Sequence, residues 1–163
     1  MNVFKKSFLE LVGVVVVLTI VVLVLNFFSD EQPDYREIEA EINDVKITLE
    51  IADNSYLHSV GLSGRDSLQE NHGMIFIYDD ELEELSFWMK NTLIPLDIIF
   101  LNKDLEIVHI FENVPICEED PCPQYTSEKK AQYVVELNAG WVEENGVKIG
   151  DEVKIINQDQ SDS

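Results

Sequence analysis

The chain has 163 residues and a formal net charge of −21, which arises from 32 acidic and 11 basic residues. A surface this acidic repels phosphate backbones and anionic lipid headgroups, so we do not expect nucleic acid as a partner. No phosphate loop, dinucleotide fingerprint or H-E-x-x-H helix occurs in the sequence. The sequence therefore predicts no cofactor and no metal site.

An apolar segment opens the chain. Residues 8–28 include only three polar residues, and a helix of this length spans roughly 30 Å, about the thickness of a bilayer core. Lys5 and Lys6 precede the segment and predict a cytoplasmic N-terminus at residues 1–7. Residues 8–28 are thus predicted to anchor the chain in the cytoplasmic membrane. A cleaved signal peptide is the alternative, although no small-x-small cleavage site follows.

The anchor is followed by a linker, one domain and a tail. Residues 29–36 are a polar linker, residues 37–157 are long enough for one domain with its own core, and residues 158–163 are an acidic tail. Positive-inside counting places the domain outside the cytoplasm. Beyond residue 28, nine basic and 31 acidic residues remain, a net charge of −22.

Alternation of apolar and polar residues dominates the domain and predicts about eight short strands. These strands are residues 37–42, 45–51, 73–78, 85–89, 93–101, 105–112, 131–137 and 152–156. Asn43 and Asp44 suit a two-residue hairpin turn. Helical signals are limited to Ser55–Gly64 and to Ala139–Gly146. We expect a mainly β, β-rich α+β fold: a small sandwich or partly open barrel with one or two short helices, preceded by one transmembrane helix.

Two cysteines lie close together in a proline-rich segment. Cys117 and Cys122 would form a disulfide in an exported domain, and their spacing differs from that of a redox C-x-x-C motif. Free thiols remain an alternative, as does a zinc site completed by His58, His72 or His109.

Two carboxylates fall within apolar strands. Asp97 lies in a segment that is apolar on both faces, so it needs a hydrogen-bonding or charged partner, and Lys90 and Arg65 are the bases that we consider. Glu136 poses the same question between Val135 and Leu137. Alternatively, Asp97 pairs structurally or caps backbone amides, and Glu136 is an edge residue. The residues that we expect to converge in a ligand-binding cleft are Arg65, Trp88, Lys90, Asn91, Asp97, Glu136 and Asn138.

Four segments of the chain resemble one known family. The sequences GLSGRDSLQENHGMIFIY, FWMKNTLIPLDIIFL, CEEDPCPQY and YVVELNAGWVEENGVKIGDEV resemble domain of unknown function 192, or uncharacterised protein family 0127. The resemblance covers roughly residues 45–156 and implies a compact β-rich domain, often exported or membrane-tethered, without an established reaction. It marks as signature positions Arg65, Gly73, Met74, Phe87, Trp88, Met89, Lys90, Asn91, Thr92, Pro95, Asp97, Glu136, Asn138, Ala139 and Gly140.

Three functions are compatible with these observations. We favour a membrane-anchored extracytoplasmic module that binds a small polar, acidic or glycan ligand, with Trp88 as a stacking surface. A cell-wall or carbohydrate hydrolase using Asp97 and Glu136 as a carboxylate pair is the first alternative. A purely structural envelope protein is the second. The sequence does not fix the oligomeric state.

Overall fold

The structure is a computed structural model that describes residues 12–21 and 33–156. The chain divides into two compact units, Met1–Asp34 and Tyr35–Ser163. In the first unit, residues 12–21 are helical and form α1. Within the described ranges, no helix combines the length and the apolar character that a membrane crossing needs.

Several predicted segments lie wholly or partly outside the described residues. The predicted anchor, residues 8–28, extends beyond α1 at both ends, so only its middle part is described. The predicted cytoplasmic segment, residues 1–7, and the acidic tail, residues 158–163, are not described, and the linker is described only from residue 33. Anchor, linker and tail therefore stay predictions.

The second unit is mainly β, as predicted. Its elements within the described residues are β1 (Glu37–Ile42), β2 (Val45–Ala52), α2 (Ser55–Val60), β3 (His72–Leu82), β4 (Ser86–Phe87), β5 (Leu96–Leu101), β6 (Ile107–Val114), β7 (Tyr125–Thr126), β8 (Ala131–Asn138), α3 (Trp141–Glu144) and β9 (Lys154–Ile156). Both predicted helices are present but shorter than expected.

The strands form one large sheet and one small sheet. The large sheet has seven strands in the order β6-β5-β8-β3-β2-β1-β9, and β4 pairs with β7 in a separate two-stranded sheet. β2 and β3 are parallel, whereas the other pairs in the large sheet are antiparallel. The sequence predicted a small sandwich or a partly open barrel, whereas the described residues show one open, mixed sheet of seven strands beside a two-stranded sheet.

The two edges of the large sheet are linked by the segments that precede them. Glu106, just before β6, forms an antiparallel bridge with Glu152, just before β9. The amide of Ile107 donates to the carbonyl oxygen of Asp151 at 2.8 Å, and that of Val153 donates to Leu105 at 3.0 Å. These bonds connect the segments that precede the two outer strands of the sheet.

Local turn chemistry explains where the strands begin and end. Asn43 and Asp44 both have positive φ, 50° and 65°, which is the backbone that a tight two-residue hairpin needs. Asn91 also has a positive φ, 59°, and Pro95 follows shortly, without an amide hydrogen for a ladder. The strand predicted at residues 93–101 therefore begins only at Leu96.

Each face of the large sheet carries its own apolar core. The first face packs residues such as Leu49, Ile75 and Leu137 against Trp141 and Val142 of α3. The second face packs residues such as Met74, Phe76 and Phe100 against Leu62, which follows α2, and Phe87 of β4. The sheet is thus a middle layer, and any side chain on it belongs to one of two separate environments.

Gly73 lies on β3 against β8, where there is no room for a side chain. A Cβ atom at this position would lie 2.2 Å from the backbone oxygen of Glu136 and 2.7 Å from a methyl group of Leu137. Both distances are far inside van der Waals contact, and the first involves backbone, which cannot rotate away. Only glycine therefore lets β3 pair with β8 at the register that carries Glu136.

Candidate functional site

Asp97 is fully buried and is paired with backbone amides. Its Oδ1 accepts hydrogen bonds from the amides of Asn113 at 2.7 Å and Gly140 at 3.2 Å, and its Oδ2 accepts one from Val142 at 2.8 Å. Gly140 caps α3 without a side-chain oxygen, so the carboxylate of Asp97 supplies that cap from a neighbouring strand. Of the partners considered for Asp97, backbone amides are the ones found.

Arg65 is engaged elsewhere. Its guanidinium forms a two-pronged ion pair with the carboxylate of Glu50, and both side chains are largely buried. The hydrogen bond to Glu50 raises the pKa of Arg65 above its ordinary value, with the Glu50 charge contributing further. The guanidinium also lies 5.5 Å from the ring centre of Tyr35. Arg65 therefore does not meet Asp97 and already has its own counter-charge.

The two asparagines of the predicted cleft hold loops in place. Asn138 donates from Nδ2 to the carbonyl oxygens of Leu68 and Gln69, at 3.1 and 3.2 Å. The carbonyl oxygen of Asn91 accepts from the amide of Gly64 at 2.9 Å. Both contacts position the segment between α2 and β3.

Glu136, Trp88 and Lys90 do come together, around a cavity of about 50 Å³. The cavity lies on the second face of the sheet, between β8, the end of α2 and the turn after β4. Its lining residues are His58, Ser59, Val60, Gly61, Leu62, Ser63, Phe76, Phe87, Trp88, Lys90, Thr92 and Glu136. Trp88 is 54% exposed and marks its outer side, whereas Glu136 is only 5% exposed.

Glu136 is the chemically unusual member of this lining. In the described part of the chain its carboxyl group has no hydrogen-bond or ion-pair partner, and burial alone raises its pKa from 4.5 to about 8. Tyr78 is close enough for the two groups to interact: burial first, and the charge of Glu136 second, raise the pKa of Tyr78 to about 12. A carboxyl group of this kind is protonated at neutral pH and poised to ionise when it gains a partner.

Lys90 lines the cavity but is not the partner of Glu136. Its Nζ lies 3.3 Å from both carboxylate oxygens of Asp120 and 5.7 Å from the ring centre of Trp88. Asp120 belongs to the loop that Cys117 and Cys122 close. These two cysteines form the predicted disulfide, with Cα atoms 5.6 Å apart.

The large sheet separates the two carboxylates of the hydrolase hypothesis. Asp97 is paired across the strands with Leu137, which faces the first core, whereas Ile98 is paired with Glu136 and faces the second. Partners in an antiparallel ladder point to the same face, and consecutive residues point to opposite faces. Asp97 and Glu136 therefore cannot act as a pair on one substrate.

Sequence reasoning missed part of the cavity wall. Thr92 is 9% exposed and lines the cavity beside Glu136, and the end of α2 contributes Gly61 and Ser63. The available signal was the run of small residues GLSG, which leaves room next to an apolar strand. Whether the seven residues of the predicted cleft bind a ligand stays a prediction.

Comparisons with known proteins agree with this fold. A family model described as DUF192, Uncharacterized ACR, matches residues 38–155. A candidate transcription regulator from Sinorhizobium meliloti 1021 is similar at 30% identity and a TM-score of 0.71, over 77% of this chain and 98% of that one. A protein of unknown function from Novosphingobium aromaticivorans DSM 12444 is similar at 27% identity and a TM-score of 0.66, over 77% of this chain and 94% of that one. No curated protein matches the chain.

Proposed function

This chain belongs to the DUF192 family of uncharacterized proteins, and from that premise we propose that it is a binding module whose small ligand occupies the Glu136 cavity. The observation that carries the proposal is a carboxyl group that is 5% exposed, lines a cavity and has no partner among the described residues. Burial of such a group without a partner costs free energy. A ligand that completes its hydrogen bonds would recover that cost.

The contrast with Asp97, which is buried, and Glu50, which is partly buried, supports this proposal. Asp97 accepts three backbone hydrogen bonds, and Glu50 is bound by both terminal nitrogens of Arg65. The fold thus satisfies its structural carboxylates fully. Glu136 is the one that it leaves open toward a cavity, which is the arrangement of a binding group rather than of a structural one.

DNA binding is the less favoured function. The similar structure from Sinorhizobium meliloti is described as a candidate transcription regulator. This chain has a formal net charge of −21, and phosphate contacts require clustered positive charge. The charge therefore favours a small ligand over a nucleic acid.

The proposed location is the outer side of the cytoplasmic membrane, with residues 8–28 as the anchor. Lys5 and Lys6 on one flank and 31 acidic residues after residue 28 support this orientation. Added protease is expected to digest the domain in intact spheroplasts. A domain that becomes sensitive only after lysis would place it in the cytoplasm and overturn the proposed topology.

Ligand-observed NMR on the full-length protein tests the binding function. We expect at least one member of a panel of small amines, polyols, amino sugars and carboxylic acids to bind at pH 7. Glu136→Gln should weaken that binding by tenfold or more, because the amide cannot ionise. Glu112→Gln, on an exposed position of β6, is the matched control and should bind like the wild type. Equal binding by Glu136→Gln, or no binding across the panel, would favour a purely structural role.

A further inference from the structure

Three aromatic rings form part of the wall around Glu136, beside the hydroxyl groups of Ser63 and Thr92. Phe76 and Phe87 line the cavity and pack edge to face, with ring centres 4.8 Å apart, and Trp88 lies at the exposed side. Aromatic faces carry negative electrostatic potential and attract cations, whereas they offer no hydrogen-bond acceptor for a hydroxyl group. Aromatic rings around one carboxyl group form a setting that suits an organic cation.

The outer side of the cavity already accommodates one ammonium group. Lys90 places its Nζ 5.7 Å from the ring centre of Trp88. Its charge is balanced by Asp120, whose two carboxylate oxygens each lie 3.3 Å from Nζ. An ammonium group is therefore compatible with this wall, and the charge of Lys90 is directed outward to the disulfide loop.

No positive charge in the described part of the chain is committed to Glu136. On α2, His58 directs Nε2 to the carbonyl oxygens of Ala52 and Ile77, at 3.0 and 3.1 Å. On β3, Tyr78 is a neutral group, because burial and then the charge of Glu136 raise its pKa to about 12. After β4, Lys90 is paired with Asp120.

Glu50 of β2 lies on the same face, two strands from Glu136. Glu50 pairs in register with Met74, and Met74 pairs with Glu136. The distance across two strand spacings is roughly 10 Å. Arg65 neutralises Glu50 by a two-pronged ion pair. The positive charge of Arg65 is therefore also unavailable to Glu136.

Resting on the proposed function, we infer that the ligand presents an organic ammonium group to Glu136, with its carbon stem beside the exposed ring of Trp88. The cavity of about 50 Å³ exceeds the roughly 10–15 Å³ that a cavity needs to hold one water, so a water-sized ammonium head fits inside. The carboxylate would supply a charge-assisted hydrogen bond.

The overall charge points to the same ligand class. A protein of net charge −21 concentrates cations near its surface and repels anions. An anionic ligand would also face Glu136 directly, and Lys90, the one lysine or arginine in the lining, is already paired with Asp120. The acidic ligand considered from the sequence is therefore disfavoured. A neutral polyol has the hydroxyl groups of Ser59, Ser63 and Thr92 as partners, but it does not balance the charge of an ionised Glu136.

Three probes of equal carbon number test the inference on the full-length protein at pH 7: n-propylamine, n-propanol and propionate. The ammonium form of propylamine is expected to bind at least tenfold more tightly than propanol, and propionate more weakly than either. Glu136→Gln should abolish the preference for the amine, and Glu112→Gln should retain it. Affinities are measured by NMR titration at constant ionic strength, because a charge-based preference is screened by salt.

Proton release distinguishes ion pairing from mere adhesion to the rings. Because the buried carboxyl group is largely protonated at pH 7, binding of propylammonium should release close to one proton. Calorimetry in two buffers of different ionisation enthalpy measures this number. The inference would be overturned if the amine binds without proton release, or if Glu136→Gln binds the amine with unchanged affinity.

The remaining outcomes separate the inference from the function on which it rests. If propanol or propionate binds more tightly than the amine, and Glu136→Gln loses that binding, the ammonium inference is overturned and the binding function stays in place. Failure of all three probes, together with failure of the wider panel, would overturn both.

Discussion

Replacement of Asp97 by alanine is expected to lower the free energy of unfolding by about 3–5 kcal/mol. The substitution leaves the amides of Asn113, Gly140 and Val142 without their acceptor in a fully buried position. It also removes the cap of α3, whose residues Trp141 and Val142 belong to the first core. Reversible urea unfolding of the full-length protein, followed by tryptophan fluorescence, measures the change.

Asp97→Asn and Asp104→Ala are the matched variants for this experiment. Asn keeps one acceptor oxygen, but its NH2 group, which is a donor, would face backbone amides that are also donors. Most of the stability loss seen with Asp97→Ala should therefore remain in Asp97→Asn. Asp104 is exposed in the turn before β6, and its substitution should change stability by less than about 0.5 kcal/mol. If Asp97→Ala stays within about 1 kcal/mol of the wild type, the capping role of Asp97 is incorrect.

Glu136→Gln is expected to become progressively more stable than the wild type as pH rises from about 4.5 to about 8. Burial raises the pKa of Glu136 from 4.5 to about 8, so in this window the folded protein holds a proton that the unfolded chain has lost. Wild-type stability therefore falls with rising pH, by about 1.4 kcal/mol per pH unit. Glutamine carries no such proton. The difference in free energy of unfolding between Glu136→Gln and the wild type should therefore change by roughly 4 kcal/mol across the window.

Comparison of the two proteins isolates this effect, because the other titrating groups contribute equally to both. Urea unfolding at several pH values from 4 to 9 supplies the measurement, and Glu112→Gln should remain parallel to the wild type. A stability difference between Glu136→Gln and the wild type that does not vary with pH would mean that Glu136 has a partner in the folded state.

The sequence was sufficient for the β-rich class, the hairpin turn, both short helices and the disulfide. These features depend on neighbouring residues: Asn43 and Asp44 encode a turn by their tolerance of positive φ, and Cys117 and Cys122 lie close together in the chain. The burial of Asp97 also followed from a strand that is apolar on both faces. Backbone amides were one of the alternatives for its partners, but the particular amides did not follow, because tertiary folding brings them from β6 and α3.

The positions of the residues in the predicted cleft depend on tertiary structure in the same way. Trp88, Lys90 and Glu136 line one cavity, whereas Asp97 lies on the opposite face of the sheet and Arg65 is paired with Glu50. Strand order and register decide these positions, and neither can be read from alternation within one strand. The parallel pairing of β2 with β3 is equally non-local.

The most direct test of the account is the ionisation of Glu136 itself. Its side-chain carboxyl carbon can be followed by ¹³C NMR in full-length protein labelled on glutamate, with Glu136→Gln to assign the signal. The account predicts a titration midpoint near 8 in the free protein, which shifts downward when propylammonium is bound. A midpoint near 4.5, unchanged by the amine, would contradict both the unpartnered carboxyl group and the site built on it.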